Sequence, residues 1–214
     1  MHTPHHFMKL LRFLSLLLFT LFFIPQAVRA QDAGSTKNEA APGESSRTYR
    51  SDVGGYSIVY PRNWEKSEKA FGPIDAIFFR KGEPGVNISI TWSPIEKGEQ
   101  LNESMVREMK EGIGKRYKEY KETAETWGTL DGVKAYSLSA RFKQYGIELQ
   151  NKQVMLIKAG RFYILTYSAV PQVFMKYLGE FEEAISTFKT DDSRLRDEGK
   201  KSEAHAAGSS GGTE

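Results

Sequence analysis

Gln153 to Ala169 reads QVMLIKAGRFYILTYSA, two dense apolar segments either side of Lys158-Ala-Gly-Arg161. A glycine-bearing break between two such runs marks a β-hairpin. Alanine resists positive φ, so the expected connection is a type I turn with Gly160 in the left-handed bulge position, and not a primed two-residue turn. The second arm is apolar on both parities, with Phe162 and Ile164 on one side and Tyr163, Leu165 and Tyr167 on the other. That pattern belongs to a strand covered on both faces, which places it in the middle of a sheet.

Working outward, Val133 to Lys143 alternates, with Tyr136, Leu138, Ala140 and Phe142 on one parity, and Tyr145-Gly146 turns the chain into Ile147. Gln150 to Lys152 is polar enough to predict a bulge or an edge. Trp127-Gly128 and Asp131-Gly132 read as a strand running into a turn. Upstream, Leu101, Met105, Met109, Ile113, Tyr117 and Tyr120 form one helical stripe, predicting a helix from Leu101 to about Lys121 capped by Asn102. Leu101 and Val106 supply a hydrophobic staple. Gly112 and Gly114 weaken that helix by about 1 kcal/mol each relative to alanine, so close packing or a bend is expected there. Before it come two strands, Ala76 to Lys81 and Val86 to Ser93, joined by Gly82-Glu-Pro-Gly85. In the second, Val86, Ile88, Ile90 and Trp92 alternate with Asn87, Ser89 and Thr91, predicting one buried and one more polar face. Tyr56 to Tyr60 is a further strand, preceded by a short one near Tyr49, and Trp64 after it plugs the core or stacks a ligand. Pro171 opens a closing helix with Phe174, Tyr177, Leu178, Phe181, Ile185 and Phe188 on its apolar side.

The ends differ in kind. Residues 1–30 contain Lys9 and Arg12, an apolar run from Phe13 to Ile24, and small residues at Val28 and Ala30, the layout of a secretory signal. The run is too short for a bilayer core of about 30 Å, so no stable membrane span is expected after cleavage. Met8 can serve as the start. Residues 31–46 form a polar linker, 47–190 the folded domain, and 191–214 a polar tail; both outer segments are predicted to be disordered.

The leader holds three of the 30 basic residues and none of the 27 acidic ones, so charge balances from Gln31 onward. Residues 47–190 contain 22 basic and 18 acidic side chains. A chain this close to neutral lacks the footprint of phosphate-backbone binding, and nucleic acid is not an expected partner. There is no cysteine, and the four histidines (2, 5, 6 and 205) lie outside 47–190. The predicted domain therefore has no thiolate or imidazole chemistry, no serine triad and no ordinary zinc site. No metal or cofactor is expected.

Three candidate sites remain. Arg141, Lys143, Lys152, Lys158 and Arg161 can gather on one side of neighbouring strands as an anion or partner face, although such residues also serve solubility and edge protection. Asp75, Asp131 and Glu148 are the carboxylates a hydrolase would use. Turn chemistry and solvation account for them more simply, with Asp131 in an Asp-Gly turn and Glu148 on a polar strand face. A gap between helix and sheet lined by Trp64 and Trp92 would suit a small apolar ligand. Ser186-Thr-Phe-Lys189 has the Ser-x-x-Lys spelling but ends a helix and has no companion motif.

The element order, together with Tyr56-Ser-Ile-Val-Tyr-Pro-Arg-Asn-Trp64 and Ile185-Ser-Thr-Phe188, resembles the PsbP-like family. The resemblance implies an α+β domain, a central antiparallel sheet sandwiched by helices, in extracytoplasmic proteins that are mostly non-catalytic. Photosynthetic members are extrinsic subunits of the photosystem II oxygen-evolving centre, while other bacterial relatives have no connection with light. This chain departs from the photosynthetic pattern in its generic leader and in lacking a core histidine at a metal-binding position, so no functional residue carries over.

The expected protein is thus an exported, periplasmic or extracellular binding or assembly module. It acts through its surface on a protein or envelope component and has no enzymatic activity. The alternatives are a carboxylate-dependent hydrolase and a carrier of a small apolar ligand. The intact mass of the exported protein should correspond to a chain beginning at Gln31.

Overall fold

The computed structural model describes residues 46–68, 73–96 and 98–191. The leader, nearly all of the linker and the tail from 192 lie outside the described residues, and the first strand begins at Ser46, one residue before the expected domain boundary.

Two antiparallel sheets and two helices make up the described fold. A small sheet joins β1 (Ser46–Ser51), β2 (Tyr56–Pro61) and β10 (Lys189–Thr190) in the order β1-β2-β10. The large sheet has seven strands in the order β3-β4-β5-β9-β8-β7-β6. Its first meander is β3 (Trp64–Lys66), β4 (Ile74–Arg80) and β5 (Asn87–Pro94). Helix α1 (Glu103–Arg116) then leads to a second meander of β6 (Lys118–Leu130), β7 (Val133–Gln144), β8 (Ile147–Lys158) and β9 (Arg161–Ala169). Strand β9 returns to pair with β5 and is fourth of seven, the mid-sheet position its two apolar parities require.

Helix α1 buries Met105, Val106, Met109 and Ile113 against Tyr136, Leu138, Met155, Ile157, Phe162 and Ile164 on one face of the large sheet. Asn102 caps it by accepting from the Met105 N–H at 3.1 Å. The opposite face carries the small sheet and α2 (Pro171–Ser186), whose Phe174, Tyr177 and Phe181 pack into a core with Phe78, Ile88, Leu156, Tyr163 and Leu165. Trp64 is fully buried in this core, and its indole donates to Glu180 Oε2 on α2 at 2.5 Å. Arg80 donates to the same carboxylate at 3.1 Å while its guanidinium sits 3.8 Å from the Tyr177 ring centre, so the helix is fastened to the sheet by charge as well as by apolar area. The α+β sandwich is as expected. The small second sheet, closed by the two-residue β10, is an addition.

Several local expectations are corrected. Lys158 pairs directly with Arg161, and Ala159 and Gly160 both have positive φ, 52° and 71°, which makes the central hairpin a primed two-residue turn. Asp131-Gly132 (49° and 78°) and Tyr145-Gly146 (51° and 80°) repeat it, each between directly paired flanking residues. The right-handed twist of the paired strands selects this turn over the penalty of placing Ala159 there. Helix α1 ends at Arg116, and Lys118 to Lys121, expected in the helix, belong to β6, because pairing with β7 outweighs the local periodicity that Tyr117 and Tyr120 satisfy. Gln150 to Lys152 form neither bulge nor edge. They lie in regular register between β7 and β9, with Gln150 and Asn151 buried. The polar parity of β5 is also buried, Asn87, Ser89, Thr91 and Ser93 alike, since β5 is an interior strand with both faces covered.

A left-handed alanine is strained by about 1 kcal/mol. Ala159→Asn, which completes the favoured Asn-Gly pair, should raise stability by about that amount, read from the midpoint of urea unfolding.

Candidate functional site

The five basic residues singled out from the sequence all project from the α2 side of the large sheet, as their register shows. They do not form one patch. Lys152 and Lys158 are six positions apart on β8, about 20 Å along a strand. Lys158 donates to Asp131 Oδ2 at 2.8 Å, Lys152 to Glu182 at 2.6 Å and Lys143 to Glu119 at 2.8 Å. Arg141 donates to Gln150 at 2.9 Å, while Arg161 is buried 5.1 Å from the Trp92 ring centre.

Of the three carboxylates, Asp75 and Asp131 are engaged in internal bonds and Glu148 is exposed. Asp75 accepts from Tyr56 at 2.5 Å and from the Trp92 indole at 3.3 Å. Glu148 is an exposed residue at the β7–β8 turn, directly opposite Lys143. Asp131 has a side chain only 8% exposed and accepts from Lys158, Lys189, and the Thr190 amide and hydroxyl. It thereby ties the β6–β7 turn to the end of β8 and to β10. Burial opposes its ionisation, but those donors outweigh it and hold its pKa below the usual carboxylate value. Trp64, expected as one wall of a ligand gap, has no exposed surface and is core.

What the sequence did not single out is a cleft of about 490 Å³ between α1 and the sheet face of β6. Its helix wall carries Val106, Arg107, Lys110, Glu111 and Gly114; its strand wall carries Tyr120, Glu122, Glu125 and Trp127, with Tyr136 of β7 behind them. The Lys110 ammonium lies 2.6 Å from Glu122 and 2.5 Å from Glu125, and Glu125 also accepts from the Tyr136 hydroxyl. Those two donors keep Glu125 below its ordinary pKa, so it persists as a carboxylate and does not serve as a general acid near neutrality. Burial first, and the Glu125 bond second, push Tyr136 up to about 12. The Tyr120 hydroxyl is buried with no hydrogen-bond partner among the described residues, and burial raises its pKa.

The strand wall is irregular in its backbone, and the helix wall carries a glycine. Strand β6 shifts register against β7 between Lys118 and Lys121 and again between Glu122 and Ala124, and Glu119 has φ of 52° outside any hairpin turn. Such bulges re-aim side chains, and here Tyr120 and Glu122 are the ones that face the helix. On α1 a side chain at Gly112 would meet nothing within 4 Å and one at Gly114 only Tyr120 at 3.7 Å, so close packing accounts for neither glycine. The polar pairs at the cleft were illegible because Lys110 and Glu122 stand on elements whose adjacency no local pattern encodes.

A family model described as PsbP matches residues 44–190. Among solved structures, cyanobacterial PsbP (CyanoP) from Synechocystis sp. PCC 6803 superimposes with a TM-score of 0.54 at 17% identity, covering 73% of this chain and 98% of that one. LpqN of Mycobacterium tuberculosis, described as involved in cell envelope biogenesis, gives 0.50 at 12% identity over 69% of this chain and 86% of its own. At these identities the likeness is one of fold. The comparison with curated proteins returned no match.

Asparagine at position 131 keeps the turn and removes the charge. Asp131→Asn should therefore cost about 1–2 kcal/mol at pH 7. Because the folded pKa is the lower one, the difference should be complete above the unfolded value of about 4 and vanish as pH falls through the folded value, measured by urea unfolding at pH 7 and pH 2.

Proposed function

The chain belongs to the PsbP family, and on that premise we propose that it is an exported, non-catalytic binding or assembly module whose contact site is the α1–β6 cleft. The observation that carries this reading is the concentration of local costs on the cleft's two walls: a helix glycine, Gly114, that close packing does not require, two register shifts, a left-handed Glu119 and a buried Tyr120 hydroxyl unpartnered among the described residues. Irregularities of this kind persist where a surface is shaped for use. Elsewhere in the large sheet the pairing shifts only once, between Ile74 and Ala76, and the three primed turns are ordinary hairpin chemistry.

Export rests on the leader, and an envelope role on the likeness of fold to LpqN and CyanoP. No described helix is long and apolar enough to cross a membrane. The absence of catalysis is argued from chemistry. Between 47 and 190 there is no imidazole or thiol, Asp75 and Asp131 are engaged in internal bonds, and Glu125 is held ionised.

A photo-cross-linking residue placed at exposed Arg107, on the cleft rim, should yield a discrete adduct in native envelopes. The same residue at exposed Glu183, on the outer side of α2, should not. Equal labelling from both positions, or none from position 107, would sink the assignment.

A further inference from the structure

Resting on the reading of the cleft as a contact site, we propose that its occupant is an extended basic peptide segment. The segment adds to the outer edge of β6 and sends alternate lysine or arginine side chains into the space between α1 and the sheet.

Along α1, Glu103, Arg107 and Glu111 recur at intervals of four, so one guanidinium stands between two carboxylates on a single helix face. Across the cleft, Lys110 stands between Glu122 and Glu125. The lining thus holds four carboxylates against two cations, and an incoming cation is favoured where an anion is repelled. Aromatic faces act in the same sense. Trp127 shows this in holding the Lys134 ammonium 4.0 Å from its ring centre, which brings the cations at the cleft to three and leaves the carboxylates in excess by one.

Strand β6 is last in the sheet, and among the described residues nothing pairs with its outer side. Its first half is blunted by two register shifts, but Glu125 to Leu130 pair regularly with Val133 to Leu138. An unblunted edge presents free N–H and C=O groups to an added strand.

In an added strand every second side chain falls on one face of the sheet, about 7 Å apart. Glu125 and Trp127, two residues apart on β6, both line the cleft. A strand laid beside them therefore delivers alternate side chains into the same acidic, aromatic space.

The probe is a labelled octapeptide of alternating lysine and threonine, compared with a glutamate–threonine counterpart. Two further lysine peptides are N-methylated on alternate backbone nitrogens, one for each phase. Fluorescence anisotropy should show saturable binding of the lysine peptide, weakened by added salt, and none of the glutamate peptide. One N-methylated phase should bind more weakly than the other. Glu122→Gln combined with Glu125→Gln should lower affinity about tenfold or more. Their side chains are 33% and 52% exposed, so the double variant is compatible with folding, which a thermal melt verifies. Equal binding of both peptides, or affinity unchanged in the double variant, overturns the proposal; so does indifference to N-methylation in both phases, or dimerisation of this chain that the lysine peptide cannot displace. If the cross-link from position 107 forms and the lysine peptide does not compete with it, the contact-site reading stands and this inference alone fails.

Discussion

The large sheet exists because β5 pairs with β9. Eight registered pairs, from Asn87 with Ser168 to Pro94 with Arg161, join a three-stranded meander to a four-stranded one. Without that seam neither half would bury both faces of its inner strand. The partners are about 70 residues apart, so the seam is a non-local contact whose closure entropy is met only when both meanders are formed. Its apolar side provides the compensation, with Ile88, Ile90, Tyr163, Leu165 and Tyr167 all essentially without exposed surface.

The same seam dictates where α1 must go. The chain leaves β5 at the centre of the sheet and re-enters at β6 on its far edge, so the connecting helix crosses the face of β9, β8 and β7. Its apolar stripe fills that crossing, and its polar side comes to lie over the edge strand. The cleft is what remains between a helix that packs inward and a strand that ends the sheet. On the opposite face α2 and the small sheet close the core, held by Trp64 and Arg80 on Glu180 and by Asp131 on β10.

Charged groups fall into two populations with different physical roles. Asp131, Glu180 and Asp75 sit where burial makes an unmatched charge costly, and each is met by several donors; these bonds position strands and a helix. Glu122 and Glu125 are more exposed and share the one ammonium of Lys110, so they leave a residual field at the surface. Of the basic residues on β7, β8 and β9, Lys158 and Arg161 belong to the first population, met by a carboxylate and an aromatic ring, whereas Arg141 and Lys143 are exposed.

What the sequence determined by itself was what local pattern carries. The parity of Phe162 to Tyr167 fixed a mid-sheet strand, the stripe from Leu101 to Ile113 fixed a helix and its Asn102 cap, and the lack of cysteine and of histidine between 47 and 190 limited the available chemistry. Tertiary structure decided what depends on partners. Strand pairing turned Lys118 to Lys121 from helix into strand and forced Ala159 into a left-handed turn, because twist and ladder hydrogen bonds outweigh single-residue preferences. Packing on both sides of the sheet buried the polar parity of β5, which alternation alone assigns to solvent. The cleft lay beyond local reading for the same reason. Lys110 and Glu122 belong to different periodicities, and only the crossing of α1 over the sheet brings an ammonium and two carboxylates into one space.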